Sequence, residues 1–270
     1  MHKETKRTNR INGHRIGVFA ILCLFGFCLT AQIIPEKKTQ RAKSKVYLLH
    51  SNVLKKIKEH PDAQVLVGEV VFRHDSIYMY CDSACFYEKT NSLEAFDHVK
   101  MVQGDTLFLY GDYLFYDGNT QIAQVRNNVR MENRTTTLLT DSLNYDRVAN
   151  LGYYFDGGSL MDEENILTSD WGEYSPATKQ SVFNYDVKLE NPQFALVSDT
   201  LRYNTATKIA NIVGPSDIDN KENHIYSELG FYNTQTGQAE LLNRSVLTNE
   251  GKRLVGDSLF YDRNKNYGEA

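Results

Sequence analysis

Cysteine and proline are scarce in this chain of 270 residues, which holds four of the first and five of the second. Cys23 and Cys28 fall in an apolar run near the amino terminus, so Cys81 and Cys85 are the pair left to the rest of the chain. An exported chain of this size built on disulfides would carry more. If the pair lies on one strand, four residues hold the Cα atoms roughly 13 Å apart. A disulfide needs less than about 7 Å, so both read as small buried residues with free thiols. The low proline count, with 17 Tyr and 13 Phe, leans toward strands and away from disorder. Basic charge is not in excess either: the formal net charge is −4. That argues against nucleic acid, whose phosphates select a basic face.

Long apolar runs are missing beyond residue 31. The run that does exist, Ile16 to Leu29, follows a start carrying Lys3, Lys6, Arg7, Arg10 and Arg15. It spans 14 residues, short of the ~20 that cross a bilayer as a helix. A basic start, a short apolar stretch and then Thr30-Ala31 describe a secretory signal peptide over residues 1–31. An uncleaved anchor is the alternative. A lipoprotein fits poorly, because Cys23 and Cys28 follow Leu22 and Phe27. Loss of residues 1–31 takes the formal charge from −4 to −8. Residues 32–44 read as a linker and 45–270 as one repeat domain.

Catalytic signatures are also lacking. His50, His60, His74, His98 and His224 share no metal-ligand spacing, and neither G-x-S-x-G nor H-E-x-x-H occurs. A C-x-x-x-C pair without a partner set is a poor zinc site. The reading is therefore no enzyme, no metal and no cofactor.

What the chain does have is a repeat. Tyrosines stand at 87, 116, 145, 174, 203, 232 and 261, each 29 residues from the next. Four residues earlier stands an acid: Asp112, Asp141, Asp170, Asp199, Glu228 and Asp257. Asp82 precedes Tyr87 by five, which gives the first copy an extra residue. Three before the acid come Met79, Leu109, Leu138, Leu167, Leu196, Ile225 and Leu254. Two after it come Leu114, Leu143, Leu201 and Leu259, with Gly172 and Gly230 as exceptions expected to widen or kink the interior. Immediately before it the residue is small: Cys81, Gly111, Thr140, Ser169, Ser198, Ser227, Gly256. A worn copy lies upstream, with Leu49, Ser51, Asn52 and Leu54 in the same columns. After each tyrosine a polar turn leads into a second strand-like run. The segment Val53 to His60 could be a short helix ended by Pro61, but as part of the worn copy it reads as strand.

Side chains alternate faces along a strand. The apolar column and the Leu column are five apart, so on a straight strand they face opposite ways. They share one interior only if the strand bends or bulges between them, and the small residue marks the place. The expectation is long bent strands whose two arms form facing sheets around one apolar interior, stacked copy on copy. The acids then cap backbone N–H groups at the bend or form a solvated column, and the tyrosines are packing and rim residues. The chain stops near Tyr267, where a second strand should start, leaving either a continuation or an open edge.

The pattern apolar-x-small-Asp-x-Leu-x-Tyr-[Asp/Asn], a turn, then Ala and a Val-containing strand resembles the OstA-like (LptA-like) family. This is the periplasmic bridge module of lipopolysaccharide transport, which includes a soluble bridge and the amino-terminal domain of an outer-membrane translocon. The resemblance covers roughly residues 45–270, and its upstream segment, Val46 to Asp117, is similar to the longer forms found in Bacteroidetes. The resemblance implies an all-β, V-shaped antiparallel β-jellyroll of about eight repeats with a hydrophobic groove for lipid A acyl chains. It implies lipopolysaccharide as ligand, and other transport components or further copies joined by edge-strand pairing as partners. It places the protein in the periplasm, with association with the outer membrane as a further option, and implies no catalytic residues. The distributed groove lining it implies is Leu109, Leu114, Leu138, Leu143, Leu167, Leu196, Leu201, Ile225 and Leu259. The other reading is a structural or adaptor jellyroll assembling through its open edges, or the first part of a larger outer-membrane assembly protein.

Overall fold

In the computed structural model, the described residues are 44–270 apart from 57, 59 and 60. The expected signal peptide, residues 1–31, and most of the expected linker, residues 32–44, lie outside them. Short strands β1 (Tyr47–His50) and β2 (Val53–Lys55) lead into β3 (Gln64–His74), β4 (Ile77–Tyr87), β5 (Ser92–Gln103), β6 (Leu107–Asp117), β7 (Ile122–Asn133) and β8 (Thr136–Asp146). Four shorter pieces follow: β9 (Leu151–Tyr154), β10 (Gly158–Asp162), β11 (Asn165–Ser169) and β12 (Trp171–Tyr174). Then come β13 (Gln180–Asn191), β14 (Phe194–Asn204), β15 (Ile209–Asn220), β16 (Asn223–Asn233), β17 (Gln238–Asn249), β18 (Lys252–Asp262) and β19 (Tyr267–Glu269). A 3-10 turn over Arg263–Lys265 is the one helical element among the described residues.

All 19 strands belong to one antiparallel sheet in which nearly every strand pairs with its neighbours in sequence. Local contacts of this kind follow from the short connections. A strand of 11 residues, a four-residue turn, a strand of 12 and a two-residue turn complete the 29-residue unit. The residue after the tyrosine explains its own identity. Asp117 Oδ1 accepts from Asn119 N at 2.8 Å, and Asp146, Asn204 and Asn233 cap their turns in the same way.

The expected bend is present. Along β6, Leu107, Leu109 and Gly111 are buried, and then the phase inverts so that Leu114 and Tyr116 are buried. The inversion falls at Asp112, beside the small residue. The extra residue belongs to the partner strand: Phe96 opposes Tyr113 and Val99 opposes Gly111, so Asp97 and His98 together face Asp112. Both are left-handed, with φ of 60° and 49°, and such pairs recur at Gly68-Glu69, Asn127-Asn128, Tyr185-Asp186 and Asn243-Arg244. The same crease breaks the middle strands into pieces, with β9 and β10 acting as one bent strand and β11 and β12 as the next.

The small residue has a second purpose. A bulge leaves carbonyls unpaired, and the hydroxyls of Ser169, Ser198 and Ser227 donate to the carbonyls of Trp171, Thr200 and Leu229 at 2.7–2.9 Å. The acids do not cap backbone N–H groups. They are mostly exposed, and three accept from side chains of the opposing pair: Asp82 from His98, Asp112 from Asn128 and Glu228 from Asn243.

Two facing sheets were expected; one sheet, folded along its row of bends, does the same work. We call the side of the sheet that holds the beginnings of β4, β6 and β8 the first arm and the side that holds their ends the second arm. The arms meet face to face: Phe72 of the first lies 5.4 Å from Phe86 of the second, and Phe194 lies 4.7 Å from Tyr232. Buried residues of both arms form one core cluster.

Three expectations need correction. The first copy has no extra residue: Phe86 is buried in the tyrosine column, while Tyr87 is turned outward and donates to Glu94 at 2.8 Å. In the worn copy, Leu48 and not Leu49 opposes Phe72, because the register slips between Leu48 and His50. Leu49 and Leu54 are exposed. Gly172 does not widen the interior. A Cβ there would come within 2.4 Å of the Tyr154 hydroxyl, so that ring occupies the space a Leu would take. At Gly230, with φ of +142°, the obstacle is the backbone of Glu240, 2.3 Å from where a Cβ would lie.

Candidate functional site

The candidate site is the space between the arms. Leu109, Leu138, Leu167, Leu196 and Ile225 line the first arm, and Leu114, Leu143, Leu201 and Leu259 line the second; all nine belong to the single core cluster. The sheet brings every one of them together because the phase inversion turns both columns inward. Each is almost fully buried, and the space is filled by neighbouring side chains. Among the described residues, five of the most prominent surface hollows are lined by none of the nine.

At the mouth, where the arm tips meet, the interior is closed by a polar seam. Each tyrosine crosses the interior, and most meet a polar residue 41 or 42 positions earlier on the opposite tip. Tyr116 Oη lies 2.6 Å from His74 Nδ1 and accepts from Arg147 at 2.8 Å. Tyr145 donates to Asn150 at 3.2 Å, and Asn150 also accepts from Gln103 at 3.0 Å. Tyr174 donates to Asn133 at 3.2 Å, and Lys179 donates to the same oxygen. Tyr203 and the Lys208 ammonium both reach Asp162 Oδ2 at 2.8 Å. Tyr232 accepts from Arg263 at 2.9 Å, and Tyr261 accepts from Asn220 at 2.5 Å. Rings fill the apolar interior and hydroxyls satisfy the seam.

Burial governs the electrostatics here. It pushes the hydroxyls of Tyr116, Tyr145 and Tyr232 up to about 12 and raises Tyr203 as well. Burial and then the nearby Arg134 hold Lys179 below the usual lysine range. His74 is lowered, by burial first, with Arg147 adding to the effect and Asp75 opposing it. Three buried side-chain atoms among the described residues lack a hydrogen-bond partner: Gln103 Oε1, Arg147 Nε and Asp162 Oδ1. All three lie in the seam, which makes it the least satisfied line in the molecule.

The seam was missed in the sequence, although it kept the same count. His74, Gln103, Asn133, Asp162, Asn191 and Asn220 stand 29 or 30 apart, but their residue types differ and only the spacing unites them. Cys81 and Cys85 are buried and free, and burial pushes the Cys81 thiol up to about 12. Among the described residues no three His, Cys, Asp or Glu side chains gather as metal ligands. No helix among them is long and apolar enough to cross a membrane, which says nothing of a β-barrel.

Comparison with known proteins matches residues 43–199 and 195–257 to the family described as OstA-like protein. Among curated proteins there is no match. Among solved structures, the chain is similar to LptH from Pseudomonas aeruginosa, the LptA-homologous periplasmic component of the lipopolysaccharide transport device. Identity is 16%, the TM-score 0.37, and the alignment covers 41% of this chain and 85% of that one.

Proposed function

The chain belongs to the OstA-like family, and from that premise we propose that it is a non-enzymatic periplasmic carrier of lipopolysaccharide. In this reading it shields lipid A acyl chains between its arms and passes them toward the outer membrane. The observation that carries the reading is the single apolar interior, which runs through successive repeats. Shielding acyl surface stabilises by roughly 25 cal/mol per Å². Similar lining in every repeat offers no deep trap, so a chain can slide. Acyl chains would enter by parting the arm tips. The seam is suited to that, because its polar atoms are the ones left without partners. Arg147, Lys179, Lys208 and Arg263 would then flank an emerging anionic head group. Other transport components, or further copies pairing at the sheet edges, would take the lipid onward.

A second reading has an observation of its own. The interior is filled by its own side chains, as suits a structural jellyroll used for its edges. Photo-crosslinking separates the two. A photoreactive residue replacing Leu143 or Leu201 should capture lipopolysaccharide, and one replacing the outward-facing Val197 should not. Capture confined to Val197, or none at all with lipopolysaccharide in excess, leaves the adaptor reading in its place.

A further inference from the structure

The outer face of the first arm carries a feature that the repeat does not require. Across β4 to β7, one outward row reads Tyr80, Lys100, Tyr110, Arg130, each directly opposite the next. A second row, one step nearer the arm tip, includes Tyr78 and Phe108. Lys100 Nζ lies 5.5 Å from the centre of the Phe108 ring and 5.8 Å from that of Tyr110. The Arg130 guanidinium stacks 4.4 Å from Tyr110. Tyr78 and Tyr80 keep 38% and 39% of their surface exposed, so both rings are open to a ligand.

Position in the fold does not explain these residues. In the second half of the chain the same outward rows hold Lys188, Val197, Asp217 and Tyr226, with Glu190, Asp219 and His224 beside them, and Tyr226 donates to Glu228 at 2.9 Å instead of stacking under a cation. Those strands are as well paired and carry mostly the opposite charge. The aromatic and basic face is therefore local. At Arg130 it runs into a shallow hollow of about 650 Å³ whose walls include Leu139, Thr140, Gly158, Ser159 and Thr168. Thr140, Ser159 and Thr168 offer hydroxyls next to the Arg130 guanidinium, and Asp141 and Asp156 on the same wall confine the anionic groups of a ligand to the Arg130 side.

We propose that this face binds an anionic oligosaccharide. Exposed rings on a flat sheet stack the C–H faces of sugars, the hydroxyls of the hollow take up sugar hydroxyls, and Lys100 and Arg130 pair with phosphate or carboxylate groups. The chain as a whole is acidic, so a cationic strip of this kind is the part that a negatively charged glycan can approach. Tyr78 and Phe108 each lie one residue from the start of their strands at the seam. A saccharide leaving the mouth would fold directly onto them. That placement extends the carrier reading, while binding of a sugar without acyl chains does not depend on it. Glu132 Oε1 is 3.0 Å from Arg130 Nη1, so a bound anion must compete with that carboxylate.

The test uses the mature protein and the phosphorylated oligosaccharide released from lipopolysaccharide by mild acid, which carries no acyl chain. Calorimetric titration should show binding that weakens at least tenfold in the Tyr80→Ser/Lys100→Gln double variant. Glu132→Gln should tighten it several-fold, and Lys188→Gln, in the same row on the other half, should leave it unchanged. Neutral maltohexaose should bind far more weakly. Failure of the parent to bind overturns the proposal, as does unchanged affinity in the double variant. Phosphatidylglycerol vesicles that bind through Tyr80 and Lys100 while the oligosaccharide does not would show a membrane-facing surface instead. Interior crosslinking can succeed or fail whatever this titration shows.

Discussion

Tyrosine is used in this molecule as a two-part residue. Its ring occupies the interior at almost no exposure, and its hydroxyl ends in the seam. Phenylalanine would fill the same volume and leave the seam acceptors unpaired. Among the seven full copies in the described residues, the first, at Phe86, does without the hydroxyl. The partner column tolerates amide, carboxylate and imidazole, because each offers an acceptor or donor at the same point. His74 is the imidazole of the column. It is fully buried, touches Tyr116, Arg147 and Ser44, and is held below the ordinary 6.5, chiefly by burial. Folding thus favours the neutral ring. Above about 6.5 neither state binds the proton and the stabilisation is intact. As pH falls below that value, the unfolded chain takes up a proton that the folded chain resists, and stability declines toward the folded-state pKa. Urea unfolding at pH 7.5 and 5.5 should show this loss, and His74→Gln, which copies the Gln103 position, should shrink it. An equal pH difference in both proteins would remove His74 as its source.

At the scale of the strand, the device that matters is the paired left-handed bulge. Left-handed backbone costs roughly 1–2 kcal/mol for most residues and little for glycine. Asn, Asp and Gly dominate the pairs, as that penalty requires. Glu69, His98, Arg244 and Tyr185 are the exceptions, and Tyr185 has the largest φ of the four, 66°, with its ring largely in solvent. Tyr185→Gly should therefore raise the melting temperature, by up to about 1 kcal/mol of stability after the entropy of glycine in the unfolded chain is counted. Tyr185→Val should lower it. A glycine variant less stable than the parent would show that the ring makes a contribution the static contacts do not reveal. These bulges were legible in outline. The five-residue offset between apolar columns demanded a change of phase, and the small residue marked its place. Which strand holds the extra residue was not legible, because a bulge belongs to a pair and the alternation along one strand looks the same either way.

The whole molecule is a sheet creased along its length, and its coupling is correspondingly short in range. Sequence-adjacent strands supply nearly all the pairing, and the seam adds bonds that reach 73 residues at most, from Arg147 to His74. Stability should then be close to a sum over repeats. Removing residues 234–262, which joins Asn233 to Arg263, excises one 29-residue unit and keeps the register. The shortened protein should still unfold cooperatively, with a urea m-value lower by roughly an eighth, in proportion to the surface lost. A chain that no longer folds would mean that coupling runs the length of the sheet.

The columns of the sequence determined the period, the strand and turn lengths, the inward residues and the need for a bend. Each is a local matter of alternation and turn chemistry, repeated often enough to be read through the noise. Tertiary structure alone decided what the columns meet. Tyr154 fills the space beside Gly172, Phe86 takes the place of Tyr87, and the unlike residues from His74 to Asn220 become one seam. Those outcomes depend on side chains of different strands, 18 residues apart for Tyr154 and Gly172 and 42 for His74 and Tyr116, which meet only when the sheet is paired and creased, and the residue types along the chain do not announce which of them will meet.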